Sequence, residues 1–256
     1  MQEIIALIPA IIAGLAFGLG LVVSKLLKNK NRFLDFSMGM AFIVTLGLIS
    51  FDLAPEVMEA FSHMEGFYRV VLIIGLVLFG VALSKVLDVL IPHHHHDHEE
   101  DESNHDEHHS HLMHISLITS LPLIVHNVIE GMGIYSASVV ALTSGFVMAI
   151  SVMLHNIPLG TQIGASLAAG KATRKRKFLI MGLLSLGTPI GALLIMFLKN
   201  QVSEFVIGIL IALTVGMLAY IVLFEYLREI IKNSNKKYAV IGMGVGVLII
   251  VITLFL

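Results

Sequence analysis

The stretch ISLITSLPLIVHNVIEGMGIY, residues 115–135, is apolar over a length that crosses a bilayer, yet it carries His126 and Glu130 inside it. A spanning helix needs about 20 mostly apolar residues, and an ionisable side chain at its centre costs about 2.5–3.5 kcal/mol on insertion scales. His126 and Glu130 are four apart and share one helix face. They are therefore set to meet a cation, water or another polar group rather than lipid.

Working outward from this stretch, seven more of comparable length follow the same rule. The eight spans run Ile4–Leu27, Phe36–Met58, Val70–Ile91, Ile115–Tyr135, Val139–Ala168, Phe178–Leu198, Val202–Leu227 and Tyr238–Leu256. The composition agrees: of 256 residues, 57% are hydrophobic and 13% charged, against about 45–50% and about 25% in soluble domains. The fold class is an all-α polytopic membrane protein, with the lipid bilayer as its surroundings. Residues 1–92 hold spans one to three, 93–114 a His- and acid-rich loop, 115–170 spans four and five, and 171–256 a basic loop with spans six to eight. The N-terminus lacks the basic region of a secretory signal and reads as a retained first helix. A net charge of −2 gives no reason to expect a nucleic-acid partner, and the absence of cysteine removes thiol chemistry and Cys-based metal sites.

Loop charges give the orientation. One set of alternate loops collects all of the 16 Lys and Arg residues except Arg69 and Lys199. Basic loops mark the cytoplasmic side, so both termini are expected outside and the segment His93–His111 inside. That segment reads HHHHDHEEDESNHDEHHSH. Its His93, His94, His95, His96, His98, His105, His108, His109 and His111, interleaved with acids, would collect transition-metal ions weakly and in many arrangements.

Six ionisable groups inside spans are singled out: Asp52, Glu56, His126, Glu130, His155 and Glu225. The fifth span repeats the pattern of the fourth, with His155-Asn156 followed by Gly160 where the fourth has His126-Asn127 followed by Gly131. Pro122 and Pro158 each leave a backbone carbonyl, of Ile118 and Leu154, without its helical donor. Imidazole, carboxylate and broken backbone at one depth form a cation-pathway pattern. Asp52, Glu56 and Glu225 are candidate pathway residues, although Glu56 stands near a span end and can be solvated there.

These two segments resemble the ZIP (Zrt/Irt-like) family of divalent-metal transporters, whose fourth helix carries H-N-x-x-E-G and whose fifth carries a related H-N-x-P-E-G. Asp52-Leu53-Ala54-Pro55-Glu56 is similar to an acidic, proline-containing segment of that family's second helix, and Tyr220 to Glu225 to a segment of its seventh. The resemblance covers essentially the whole chain. It implies an eight-helix bundle built from inverted repeats and a main metal site formed by His126, Glu130 and His155. Asn127 and Asn156 would then line an adjoining second site. Leu159 stands where the fifth-helix pattern has a Glu, and Thr188 where some members have another, so one ion with three side-chain ligands is expected. The implied activity is transport of a divalent ion toward the cytoplasm: Zn2+ first, with Fe2+, Mn2+ and Cd2+ as alternatives.

Two other readings compete. An intramembrane metal-dependent hydrolase would need a general base, and neither an H-E-x-x-H string nor a second carboxylate beside the motif supplies one. A metal sensor or buffer would make the loop its working part. No phosphate-binding G-x-x-x-x-G-K-[ST] loop occurs to drive a pump. Glycine pairs four apart, Gly14/Gly18, Gly160/Gly164, Gly187/Gly191 and Gly242/Gly246, allow close helix packing within a protomer or across a homodimer.

Overall fold

The apolar stretches fold as helices, and among the described residues eight are long and apolar enough to cross a membrane. The computed structural model describes residues 2–26, 30–90, 103–198 and 203–256. The helices are α1 (Ile8–Leu26), α2 (Lys30–Gly47, carried on through Leu48–Leu53 to Ala54–Ala60), α3 (Gly66–Leu90) and α4 (Ser103–Val140). They continue with α5 (Leu142–Ala169), α6 (Arg174–Leu198), α7 (Glu204–Tyr220, carried on through Ile221–Tyr226 to Leu227–Lys232) and α8 (Lys236–Leu254).

One boundary departs from the sequence reading. Helix α4 begins at Ser103, so the second half of the presumed loop, with His105, His108, His109 and His111, is helical backbone continuous with the span. Polar composition hid this, because a helix that leaves the membrane into water needs no apolar face. His93, His94, His95, His96 and His98 lie outside the described residues.

The helices form two groups. In one, α1 packs on α5 and α6, and α4 on α5 and α6; in the other, α2 packs on α8 and α7, and α3 on α7. The groups meet where α2 lies against α5 and α7 against α4. Exchanging α1 with α6, α2 with α7, α3 with α8 and α4 with α5 leaves these pairings unchanged. Each exchanged pair stands an odd number of helices apart, five or one, so in an alternating chain its members run in opposite directions, and this is the pairing of an inverted repeat. The exchange extends to backbone detail: α2 and α7 are each interrupted by a six-residue π-helical turn, LISFDL at Leu48–Leu53 and IVLFEY at Ile221–Tyr226. The fifth position of each turn is a carboxylate, Asp52 or Glu225.

The exterior is apolar, and the interior sets a group of polar side chains within an apolar core. Val71, Ile74, Leu78 and Phe79 of α3 and Val240, Ile241, Val247 and Leu248 of α8 are exposed, while His126, Asn127, Glu130, His155, Asn156, Gln162 and Thr188 are buried. The first set suits apolar surroundings, and burying the second is costly wherever a polar atom lacks a partner. The glycines supply the close approaches, and they do so inside the chain. A side chain at Gly191 would meet the backbone of Val128, at Gly131 that of Thr188, at Gly242 that of Phe36, and at Gly14 both Ser185 and Pro189. Helices α4 and α6 are thus in backbone contact beside His126 and Glu130. Pro122, Pro158 and Pro189 all sit within helices that continue past them.

Candidate metal centre

Helices α4 and α5 lie side by side, and their matching His-Asn pairs bring His126, Glu130 and His155 together. One ligand atom from each lies within 4.8 Å of the others. The His155 ring nitrogen Nε2 is 2.6 Å from Glu130 Oε1, and His126 Nε2 is 2.8 Å from that same oxygen. All three side chains are buried, with exposures of 1%, 9% and 6% in chain order. Two imidazole nitrogens gathered around one carboxylate oxygen are a donor set that could hold a metal ion, of the N/O type that suits zinc and its neighbours. Glu130 Oε2 and the Nδ1 atoms of both histidines are buried without a hydrogen-bond partner.

The group sits at the end of a cavity of about 580 Å3. Asp52, Glu56 and Glu59 of α2, Ser136 of α4, Ser151 of α5 and Glu204 of α7 line the same space. Four carboxylates leading to a His/Glu group make a cation-attracting approach, because low-dielectric walls strengthen their field. Asp52 is half-buried, and Glu56 and Glu59 are exposed. The sequence reading found no second carboxylate beside the motif; the fold supplies Asp52 and Glu56 from α2. Glu59 and Glu204 escaped notice because each stands at a span end, where a charge is unremarkable.

The other residues singled out fall elsewhere. Asn127 turns toward α6 and donates from Nδ2 to the Leu184 carbonyl at 2.9 Å. Asn156 is fully buried, with neither amide atom partnered. Neither lines the cavity. Thr188 is also fully buried and its hydroxyl unpartnered. Leu159 is packed in the main apolar core, one turn beyond His155.

Glu225 belongs to a second group. It lies with Asp88 of α3 and His114 of α4, again with ligand atoms within 4.8 Å. His114 Nε2 is 2.8 Å from Asp88 Oδ1, while Tyr220 donates its hydroxyl to Asp88 Oδ2 at 2.8 Å and Lys85 donates to that oxygen at 2.7 Å. His111, on the polar extension of α4, is 3.3 Å from Glu229. Asp88 was masked in the sequence by Lys85 three residues before it, and His114 by the histidine tract.

Comparison with known proteins gives a consistent result. A model of the ZIP zinc transporter family matches residues 88–253. The zinc transporter ZupT of Chlorobium luteolum is 26% identical, covering 98% of this chain and 97% of its own length. ZupT of Streptococcus mutans is 25% identical over 98% and 97%, and that of Oceanobacillus iheyensis 27% identical over 99% and 98%.

Proposed function

The chain belongs to the ZIP zinc transporter family, and on that footing we propose that it carries zinc across the membrane by alternating access to the group His126, Glu130 and His155. The single observation that carries this reading is the convergence of these three buried side chains at the end of an acid-lined cavity. The cargo enters by way of Asp52 and Glu56 and exchanges water for two imidazoles and a carboxylate. Water completes the shell. Other divalent ions, Fe2+, Mn2+ and Cd2+ among them, fit the same donors, since N/O sites discriminate weakly by affinity.

The charge asymmetry of the loops supports an orientation with both termini outside and the basic loops in the cytoplasm. The cavity then opens outward, because Glu59, Ser136 and Glu204 stand at the ends of α2, α4 and α7 away from the basic loops. On the cytoplasmic side, Asp88, His114 and Glu225 offer the departing ion its next donors. Uptake into proteoliposomes tests the reading, with Zn2+, Mn2+, Fe2+ and Cd2+ offered separately. Saturable uptake of at least zinc is expected, and metal binding without uptake would contradict transport.

Two variants probe the parts. Deleting residues 93–102 leaves α4 and the His111–Glu229 contact in place, so zinc uptake should persist at a rate within a few-fold of the full chain. Its loss would favour the loop as the working element. Leu159→Glu places a carboxylate one turn from His155 and is expected to tighten zinc binding or add a second ion, read by equilibrium dialysis. Unchanged stoichiometry and affinity would count against Leu159 as the reason for a single site.

A further inference from the structure

Beyond the metal group, on the side of the basic loops, the interior is closed by side chains that the transport site does not use. Tyr226 of α7 donates its hydroxyl to Gln162 Oε1 of α5 at 3.0 Å. Gln162 Nε2 in turn donates to Ser166 Oγ at 2.9 Å and faces Met38 Sδ of α2 at 3.8 Å. All four residues are fully buried. The network joins α5 to α2 and α7, across the boundary between the two helix groups. Gln162 and Ser166 lie two and three turns along α5 from His155.

The internal symmetry says what this place is. Aligning His155-Asn156 with His126-Asn127, and the turn ending at Tyr226 with the turn ending at Leu53, carries Gln162 onto Gly133, Tyr226 onto Leu53 and Met38 onto Ile211. Gly133, Leu53 and Ile211 all line the open cavity on the other side of the metal group. An inverted repeat gives each side of a central site the same passage in alternate states, so Gln162, Tyr226 and Met38 occupy the passage equivalent to that cavity. It is open where the residues are Gly133 and Leu53, and filled where they are Gln162 and Tyr226.

We propose that the Tyr226–Gln162 hydrogen bond, backed by Ser166, is the latch of the inner gate and must break for the ion to leave. A purely apolar plug gates by excluding water. This one differs, because Gln162 and Tyr226 satisfy each other when shut and can be satisfied by water when open, so neither state leaves a buried polar group unpaired. The π-helical turn that ends at Tyr226 gives α7 a local irregularity at the position where the latch would release. The proposal rests on the transport reading.

The chain has no cysteine, so Ser166→Cys introduces a lone thiol into full-length protein in oriented membrane vesicles. A membrane-impermeant maleimide is applied to the face bearing Lys171 to Lys177. Labelling is expected to be slow in this background and about fivefold faster when Tyr226→Phe is added, the ratio that loss of one neutral hydrogen bond gives. Gln162→Met should accelerate labelling similarly, and the two together little more than either alone, since they remove one interaction. Zinc uptake by the unsubstituted chain, and its loss in Glu130→Ala, are read in vesicles prepared the same way. Unchanged labelling in both latch variants, or acceleration only from the opposite face, overturns the gate while Glu130-dependent uptake stands. Absence of uptake by the correctly folded, unsubstituted chain overturns the transport reading itself.

Discussion

Glu130→Ala is expected to lower zinc uptake to the level of protein-free vesicles while leaving the protein folded. Glu130 is the only carboxylate in the three-residue group, and its Oε1 is the atom on which both His126 and His155 converge. Two neutral imidazoles alone would hold a dication in a low-dielectric site without any balancing charge, and burying an uncompensated charge is costly. Folding should tolerate the change, because the helix contacts beside the site are made by Gly131, Gly191 and Thr188 rather than by the carboxylate. Glu130→Gln retains the shape and removes the charge, so it should fail almost as completely. Near-normal uptake in either variant, with expression and detergent stability matched to the parent, would contradict the role given to this residue.

The second large effect concerns packing. Gly191→Val is expected to destabilise the protein by at least about 3 kcal/mol, the upper end of ordinary overpacking costs, because its Cβ would collide with the Val128 backbone. A backbone carbonyl cannot rotate away as a side-chain end can. Val128 lies between His126 and Glu130, so any fraction that folds should also lose zinc affinity. Gly182→Val, on the same helix with nothing within 4 Å of the added carbon, should change stability by no more than about 0.5 kcal/mol. Thermal unfolding in detergent compares the two. Equal effects would mean that α4 and α6 are not in the contact described.

What the sequence could disclose follows from the range of the physics involved. Eight spans were legible because burial in lipid demands an unbroken apolar run, a property of consecutive residues. His126 and Glu130 were legible as a pair because helix periodicity places them on one face, and His155 because its segment repeats theirs. Partnership across helices left no such mark. Nothing local says that Glu225 meets Asp88 and His114 rather than the central group, that Asp52 and Glu56 face the cavity, or that Asn127 turns to the Leu184 carbonyl. The glycine pairs announced close packing without naming the neighbour, and the structure assigns Gly14, Gly191 and Gly242 to contacts within the chain. The π-helical turns were hidden for a different reason: LISFDL and IVLFEY have no composition that sets them apart from α-helix. Their correspondence became visible once α2 and α7 were seen to be equivalent.

The most direct test of the metal centre is zinc K-edge X-ray absorption of the full chain loaded with one equivalent of zinc. Two imidazole nitrogens at about 2.0–2.1 Å, with oxygen completing the shell, are expected, and the imidazole signal should vanish when His126 and His155 are both replaced by alanine. A spectrum unchanged by that double replacement would place the ion on the histidine tract instead and contradict transport through His126, Glu130 and His155.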